Sequence, residues 1–505
     1  MPLALATLLA PLLAALTAGS PPRPSLTVRL VRPDRSLERV LGLFEGTRAS
    51  SPAAALAAYG RARGGKSGLS KAAESGIVVF NPMMVGELAV LDGATFEVGR
   101  SPGGRLGWDL VIPRDDGTFA ALATAMALTQ GRSDLPVDQV STDRLGPGGS
   151  AVSARAPGGF VVAASRADLA AGIARSRAPL DPYPPGDARL VVRVDPAALA
   201  APGGTLAARR AGEALLGLGY DGLAASVAIE GDALVATVHG RGPAPGPSRA
   251  AIAPGWLDPV PAEGTIAAFA LAIDPSPTAW DLAFAVLDRV ERADRARAGA
   301  APLRARLALL AGAAGVRPDR DLFAILVGVS GIVTVDGSGR VDGILVRLHA
   351  RDGDAAGRLR DATVPRLVRS LRLEADPPRP GAGPDGSLRF RAGGRPIAVD
   401  RRGDAVDFAW GPSVGARAAV AAADPSRSAG PALRAGLPAG SDRFVAVWPG
   451  RLKALDLPDA PPAVWSGRGP AGESVDEVRW PGLRASVRRF VDRLPLDPPP
   501  DRSGP

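Results

Sequence analysis

Residues 190–200 read LVVRVDPAALA. Val191, Val192 and Val194 are β-branched and favour an extended backbone. Asp195 then offers a carboxylate to the free N–H groups of a helix start. Pro196 suits the first helical position, where no N–H is needed. The stretch is a strand that ends in Asp-Pro, with a helix beginning there. The same grammar recurs in IAAFALAIDPSPTAWDLAF (266–284), around Asp274 and Pro275. A looser version, LTVRLVRPD (26–34), precedes a helical pattern of Leu37, Val40, Leu41 and Phe44. After Asp274, Trp280, Phe284, Leu287 and Val290 recur at helical spacing, which predicts a core-facing helix.

Two stretches alternate about a Gly/Asp turn and predict antiparallel hairpins. They are LAASVAIEGDALVATVHG (223–240) and SGIVTVDGSGRVDGILVRLHA (330–350). A longer similarity links GRLGWDLVIPRDDGTFAAL (104–122) to GRVDGILVRLHARDGDAAGRL (339–359). Each runs Gly-Arg, strand, acidic Gly turn, helix start. Two further strands and another helix follow each, in AVSARAPGGFVVAASRADLAAGI (151–173) and IAVDRRGDAVDFAWGPSVGARAAV (397–420). Ser165 and Asp168 form a capping-box-like helix start. The expected fold is α+β, with repeated units of mainly antiparallel sheet and helices packed on one face. His349 is then expected at a strand end whose counterpart in the first segment lies near Pro113.

Pro- and Gly-dense linkers at 178–187, 242–264 and 375–386 punctuate the chain. The expected division is a signal peptide at 1–20, a first α+β unit at 21–180, a strand–helix–hairpin unit at 181–250, a second α+β unit at 251–436, and a C-terminal strand–helix segment at 437–505. In that last segment RFVAVW is a strand. Leu483, Val487, Phe490 and Leu494 then line one helical face, which predicts docking on a sheet rather than on a membrane.

Residues 2–18, PLALATLLAPLLAALTA, are uncharged and apolar, with small residues Ala18, Gly19 and Ser20 after them. This predicts a secretory signal cleaved near Ala18 to Ser20, the alternative being an N-terminal membrane anchor. The protein is then exported, periplasmic or extracellular, with no membrane span after cleavage.

Composition excludes several chemistries. The 505 residues hold no cysteine, so disulfides, thiolate catalysis, Cys-ligated zinc, iron–sulfur clusters and a lipid anchor on Cys are ruled out. The net charge of +9 comes from arginines interleaved with acids, as a solvated helix face requires. Aromatics at 4% leave few stacking platforms, which argues against nucleic acid.

Gly60-Arg61-Ala62-Arg63-Gly64-Gly65-Lys66-Ser67 matches the letters of a phosphate-binding loop. Such a loop follows a strand, whereas SPAAALAAYG before it reads as a helix, so no nucleotide cofactor is expected. His239 and His349 each end a predicted strand, without the second ligand or carboxylate that a metal site or triad needs. Gly328-Val329-Ser330-Gly331 lacks the glycine spacing of a nucleophile elbow. The acidic turns Asp115-Asp116-Gly117 and Asp352-Gly353-Asp354 lack EF-hand spacing and read as turn chemistry. Trp256, Trp448, Trp465 and Trp480 suit core packing better than a sugar platform. No catalytic, cofactor-binding or metal-ligating residue is assigned.

The leader, the strand-Asp-Pro-helix starts, NPMMVGELAVLDG (81–93) and RFVAVWPGRL (443–452) together resemble exported proteins of unknown function from GC-rich environmental bacteria. That resemblance implies fold and export, and brings no activity or ligand. The expected function is therefore a non-enzymatic envelope or periplasmic protein that binds or scaffolds, with an envelope protein or polymer as partner. The alternative is an exported hydrolase with a carboxylate or serine site assembled across units.

Overall fold

The computed structural model describes residues 24–49, 51–62, 93–100, 106–113, 141–144, 150–156, 159–176, 189–200, 206–217, 219–242, 250–275, 303–370, 374–375, 388–392, 395–411, 413–451, 461–469 and 473–494. The chain divides into two compact units. One comprises Met1–Leu216, Tyr220–Val238 and Gly482–Pro505; the other comprises Gly217–Gly219 and His239–Pro481. Across the described residues the chain is mostly antiparallel sheet with some helices; helix is in the minority in the second unit and nearly equals strand in the first.

The first unit contributes β1 (Pro24–Val31), β2 (Gly93–Arg100), β3 (Leu106–Pro113), β4 (Ser141–Arg144), β5 (Ser150–Ala156), β6 (Gly159–Ala163), β7 (Arg189–Val194) and β8 (Gly222–Glu230). Antiparallel pairing orders them β4-β5-β6-β3-β2-β1-β7-β8. β8 passes into β9 (Ala233–Arg241) through Gly231 and Asp232, and Gly231 adopts φ +58, which glycine tolerates. Its helices are α1 (Pro33–Gly42), α2 (Pro52–Ala62), α3 (Arg166–Ser176), α4 (Pro196–Ala200) and α5 (Leu206–Gly217).

The Asp-Pro start after β7 forms as expected: Asp195 Oδ1 accepts from the Ala197 and Ala198 N–H groups at 2.9 and 3.0 Å. At α3, Ser165 Oγ accepts from the Asp168 N–H at 3.2 Å and donates to Asp168 Oδ2 at 2.6 Å. Leu169 of α3 packs on Val111, Val152, Val161 and Ala163. Leu199 of α4 packs on Leu26 and Val98, beside Phe96, Trp108 and Val192. Trp108 and Val111 have opposite parity in β3, so α3 and α4 lie on opposite faces of the sheet.

The second unit contributes β10 (Thr265–Ala272), β11 (Leu326–Val335), β12 (Val341–Ala350), β13 (Glu374–Ala375), β14 (Leu388–Ala392), β15 (Arg395–Arg402), β16 (Ala405–Trp410), β17 (Arg443–Val447), β18 (Ala463–Arg468) and β19 (Glu473–Pro481). Antiparallel pairing orders them β13-β14-β15-β16-β12-β11-β10-β17-β18-β19. The helices are α6 (Leu303–Ala313), α7 (Gly353–Arg358), α8 (Val364–Ser370), α9 (Val414–Ala423) and α10 (Gly430–Ala435).

One core joins Ala268, Ile332, Leu345 and Phe444 to Val414 and Ala418 of α9 and Leu433 of α10. A second joins Val399, Val406, Leu348 and Phe408 to Ala355 and Ala356 of α7, Leu359, and Val364 of α8. Leu345 and Leu348 have opposite parity in β12, so these cores occupy opposite faces. The expectation of helices on one face is corrected here. The reason lies in strand composition: Ile344, Leu345, Val346 and Leu348 are apolar on both sides, and both sides need cover.

The C-terminal helix α11 (Leu483–Asp492) belongs to the first unit. Leu483, Val487 and Val491, with Leu494, pack on Leu43, Ala49, Ala55 and Ala58, alongside Ile229 and Leu234. Phe490 flanks this core, its ring 5.6 Å from that of Tyr59. The helix buries its apolar stripe in protein; Leu483 and Val491 are fully buried, and Phe490 is only partly so.

Several expectations fall outside the described residues: the leader at 1–20, nearly all of 81–93, the helix carrying Trp280 to Val290, the turn at Asp115 to Gly117, and Lys66 with Ser67.

Candidate functional site

The β11–β12 hairpin carries a buried polar cluster in the second unit. Asp336 closes its turn, with Oδ1 accepting from the Ser338 N–H at 2.8 Å and the Arg340 N–H at 3.1 Å. The register that follows sets Ser330 opposite Arg347 and Gly328 opposite His349. β16 then sets Asp407 opposite Arg347 from the other side. Ser330, His349 and Asp407 are 5%, 3% and 4% exposed.

Within this row the charges and hydroxyls close on one another. Arg347 grips Asp407 with both arms of its fork, Nε to Oδ1 at 2.5 Å and Nη2 to Oδ2 at 2.7 Å. This bidentate geometry is the strongest available to the pair. Arg402 adds Nε to the same carboxylate at 3.1 Å. Ser330 Oγ and His349 Nε2 share a hydrogen bond of 2.9 Å. The Trp256 ring stacks on the imidazole, with centroids 4.0 Å apart and planes 12° from parallel. Gly328 makes that possible, because a Cβ there would collide with the indole. Burial, with a smaller push from the Arg347 charge, lowers the His349 pKa to about 3. The imidazole is thus neutral at physiological pH.

A Ser–His contact at this distance is the first half of a nucleophile–base arrangement. Among the described residues no carboxylate bonds the imidazole, and Asp407 is committed to Arg347. The serine is buried rather than in an open cleft. A histidine with a pKa of about 3 is also a weak base for activating a hydroxyl.

The other sequence candidates do not converge on this point. His239 is exposed on β9. The 328–331 segment lies inside β11 and makes no elbow. Asp352 caps α7, its Oδ1 accepting from the Ala355 N–H at 2.7 Å, so this acidic turn is a helix start. α2 runs through Gly60, Arg61 and Ala62, so the loop motif follows a helix and not a strand. Trp448 is buried, Trp480 half-buried, and Trp465 is exposed with Nε1 donating to Asp476 at 3.1 Å. Among the described residues no group of three or more His, Cys, Asp or Glu could hold a metal ion. No described helix is long and apolar enough to cross a membrane.

No family model and no curated protein matches the chain. Among solved structures, crystal form I of TP0453 aligns with 45% of this chain and 78% of its own, at 6% identity and a TM-score of 0.19. A likeness that slight carries no argument about fold or function.

Sequence reading missed the Arg347–Asp407 pair and the stacking of Trp256 on His349. Both join residues far apart in the chain, 60 positions for the ion pair. One signal was available. In the apolar run of β12, Arg347 falls on the same side as Leu345 and His349, so its charge had to meet a buried partner. Two further pairs were equally hidden. Arg417 Nη2 bonds Thr334 at 2.8 Å and Asp342 at 2.7 Å. Arg443 joins Asp476 at 2.6 Å and Asp442 at 2.8 Å.

Proposed function

We propose that this is an exported, non-catalytic protein of the envelope or periplasm, whose repeated strand–helix units serve binding or scaffolding of an envelope protein or polymer. The observation that carries the reading is closure of the buried polar cluster. Arg347 and Asp407 satisfy each other, Ser330 bonds His349, and Trp256 covers the imidazole. A hydrolytic site needs the reverse: a reachable nucleophile, a base held by a third group, and donors aimed at a developing oxyanion. Support for repeated units comes from the segments 104–173 and 339–420. Their described strands pair β4-β5-β6-β3 and β14-β15-β16-β12, and a helix follows the last strand in each. Support for export comes from the apolar leader at 2–18.

The Ser330–His349 contact favours one second reading, a serine hydrolase opened by movement of Trp256. Turnover of activated esters by the purified protein separates the two. The expected result is no rate above that of Ser330→Ala. A rate that disappears in Ser330→Ala establishes the hydrolase instead. Export is checked by cell fractionation with N-terminal sequencing; a cytosolic pool beginning at Met1 refutes it.

A further inference from the structure

We infer that the two units are copies of one strand unit far longer than the 104–173 segment, and that the second copy alone carries the Ser330–Arg347–His349–Asp407 cluster. The inference rests on the repeated-unit part of the function proposed above, and extends it. The first unit runs β4-β5-β6-β3-β2-β1-β7-β8 and the second runs β14-β15-β16-β12-β11-β10-β17-β18 beside the two-residue edge strand β13. With β13, which has no counterpart among the described strands of the first unit, set aside, the two orders are the same when each is numbered from its own first strand. A one-residue slip in any pairing would turn side chains to the wrong face, so register is the sharper comparison.

One row across the first unit reads Ser141, Ser153, Val162, Leu110, Phe96, Val28, Val192, Ala225. The row through Val346 reads Leu388, Val399, Phe408, Val346, Gly331, Phe269, Val445, Trp465. Two features not used to align these rows then fall into place. The β5–β6 turn closes at Ala156 and Gly159, and the β15–β16 turn closes at the matching Arg402 and Ala405. Val194 and Val447 match, and each is followed two positions later by a proline that opens a helical turn, Pro196 or Pro449.

On this alignment Arg347 takes the place of Val111, Asp407 that of Val161, Ser330 that of Thr95 and His349 that of Pro113. The first copy fills the centre of this site with Val111 and Val161, both in its apolar core. The backbone therefore folds without the polar cluster.

Two experiments on the full chain test this. The chain has no cysteine, so paired substitutions report register directly. Val28→Cys/Val192→Cys and Phe269→Cys/Val445→Cys occupy matched positions, and both pairs should oxidise to disulfides at comparable rates. Phe269→Cys/Ala446→Cys, shifted by one residue, should not. Faster oxidation of the shifted pair overturns the duplication and leaves the hydrolysis and export tests untouched. The second experiment installs the first copy's residues in the second. Arg347→Val/Asp407→Val should keep the wild-type circular dichroism spectrum and a thermal midpoint at or above wild type, while Arg347→Val alone should melt several degrees lower. A double variant that melts as low as the single one shows that the cluster is needed for folding, and overturns its assignment as an addition to the second copy.

Discussion

His349→Gln removes a titrating group from the buried cluster and leaves an acceptor for Ser330. Its effect on stability is a matter of proton linkage. The folded pKa of His349 is depressed from 6.5 to about 3. Above pH 6.5 the imidazole is neutral in both folded and unfolded chains, and contributes no pH dependence. Below pH 6.5 the unfolded chain takes up a proton that the folded chain refuses until about pH 3. Stability is therefore lost as pH falls through that window. At pH 5 the gap to the unfolded pKa is about 1.5 units, so the loss is about 2 kcal/mol at about 1.36 kcal/mol per unit. Every other group is common to wild type and His349→Gln and cancels in the comparison. Denaturant unfolding of both proteins at pH 7 and pH 5, followed by circular dichroism, should show wild type losing about 2 kcal/mol more than the variant. Equal losses, or an imidazole that titrates near 6.5 by NMR in the folded protein, would refute the burial argument.

Other substitutions probe the packing around it. Gly328→Ala drives a methyl into the Trp256 ring and should cost about 1–3 kcal/mol, with loss of the indole–imidazole stack seen as a changed His349 ring-proton shift. Leu483→Ala, at a side chain 2% exposed in the core that α11 shares with Leu43 and with Ala55 and Ala58 of α2, should cost about 2–5 kcal/mol in urea unfolding. Asp195→Ala strips the cap from α4 and should cost about 1 kcal/mol, which Asp195→Asn or Asp195→Ser should largely restore.

The legible parts of this fold were those governed by local chemistry. Asp195, Ser165 and Asp352 each announce a helix start, because a short polar side chain can reach only backbone N–H groups a few residues ahead. The turns at Gly231 and at Asp336 to Gly339 announce hairpins for the same reason. Strand order is another matter. β3 meets β6 across the intervening β4 and β5, and β10 meets β17 across most of the second unit. No neighbouring residue encodes either pairing. The site was hidden by the same distance. His349 looked like an ordinary strand end, and its partners Ser330, Trp256 and Arg347 became visible only once three segments were laid side by side.

If the two units are copies, as proposed above, their weak sequence similarity follows from what a sheet requires. The backbone ladder fixes order and register, while each covered row must be either apolar or closed on itself. The row beside the cluster illustrates the freedom that remains. In the first unit it pairs Ala163, Asp109, Glu97, Thr27 and Arg193, and Asp109 is only 4% exposed. The matching row of the second unit is Ala409, Leu345, Ile332, Ala268 and Ala446, all apolar. One row further on the chemistry reverses: Val161 and Val111 in the first unit answer to Asp407 and Arg347 in the second. On the duplication proposed above, polar content has changed rows between the units while the order and register of the aligned strands have not. Residue-by-residue comparison therefore sees little, since an apolar pair and an ion pair meet the same requirement with unrelated letters. Hydrogen-bond register is the property that two copies of one unit must keep, and it is therefore the property on which the proposed duplication is tested.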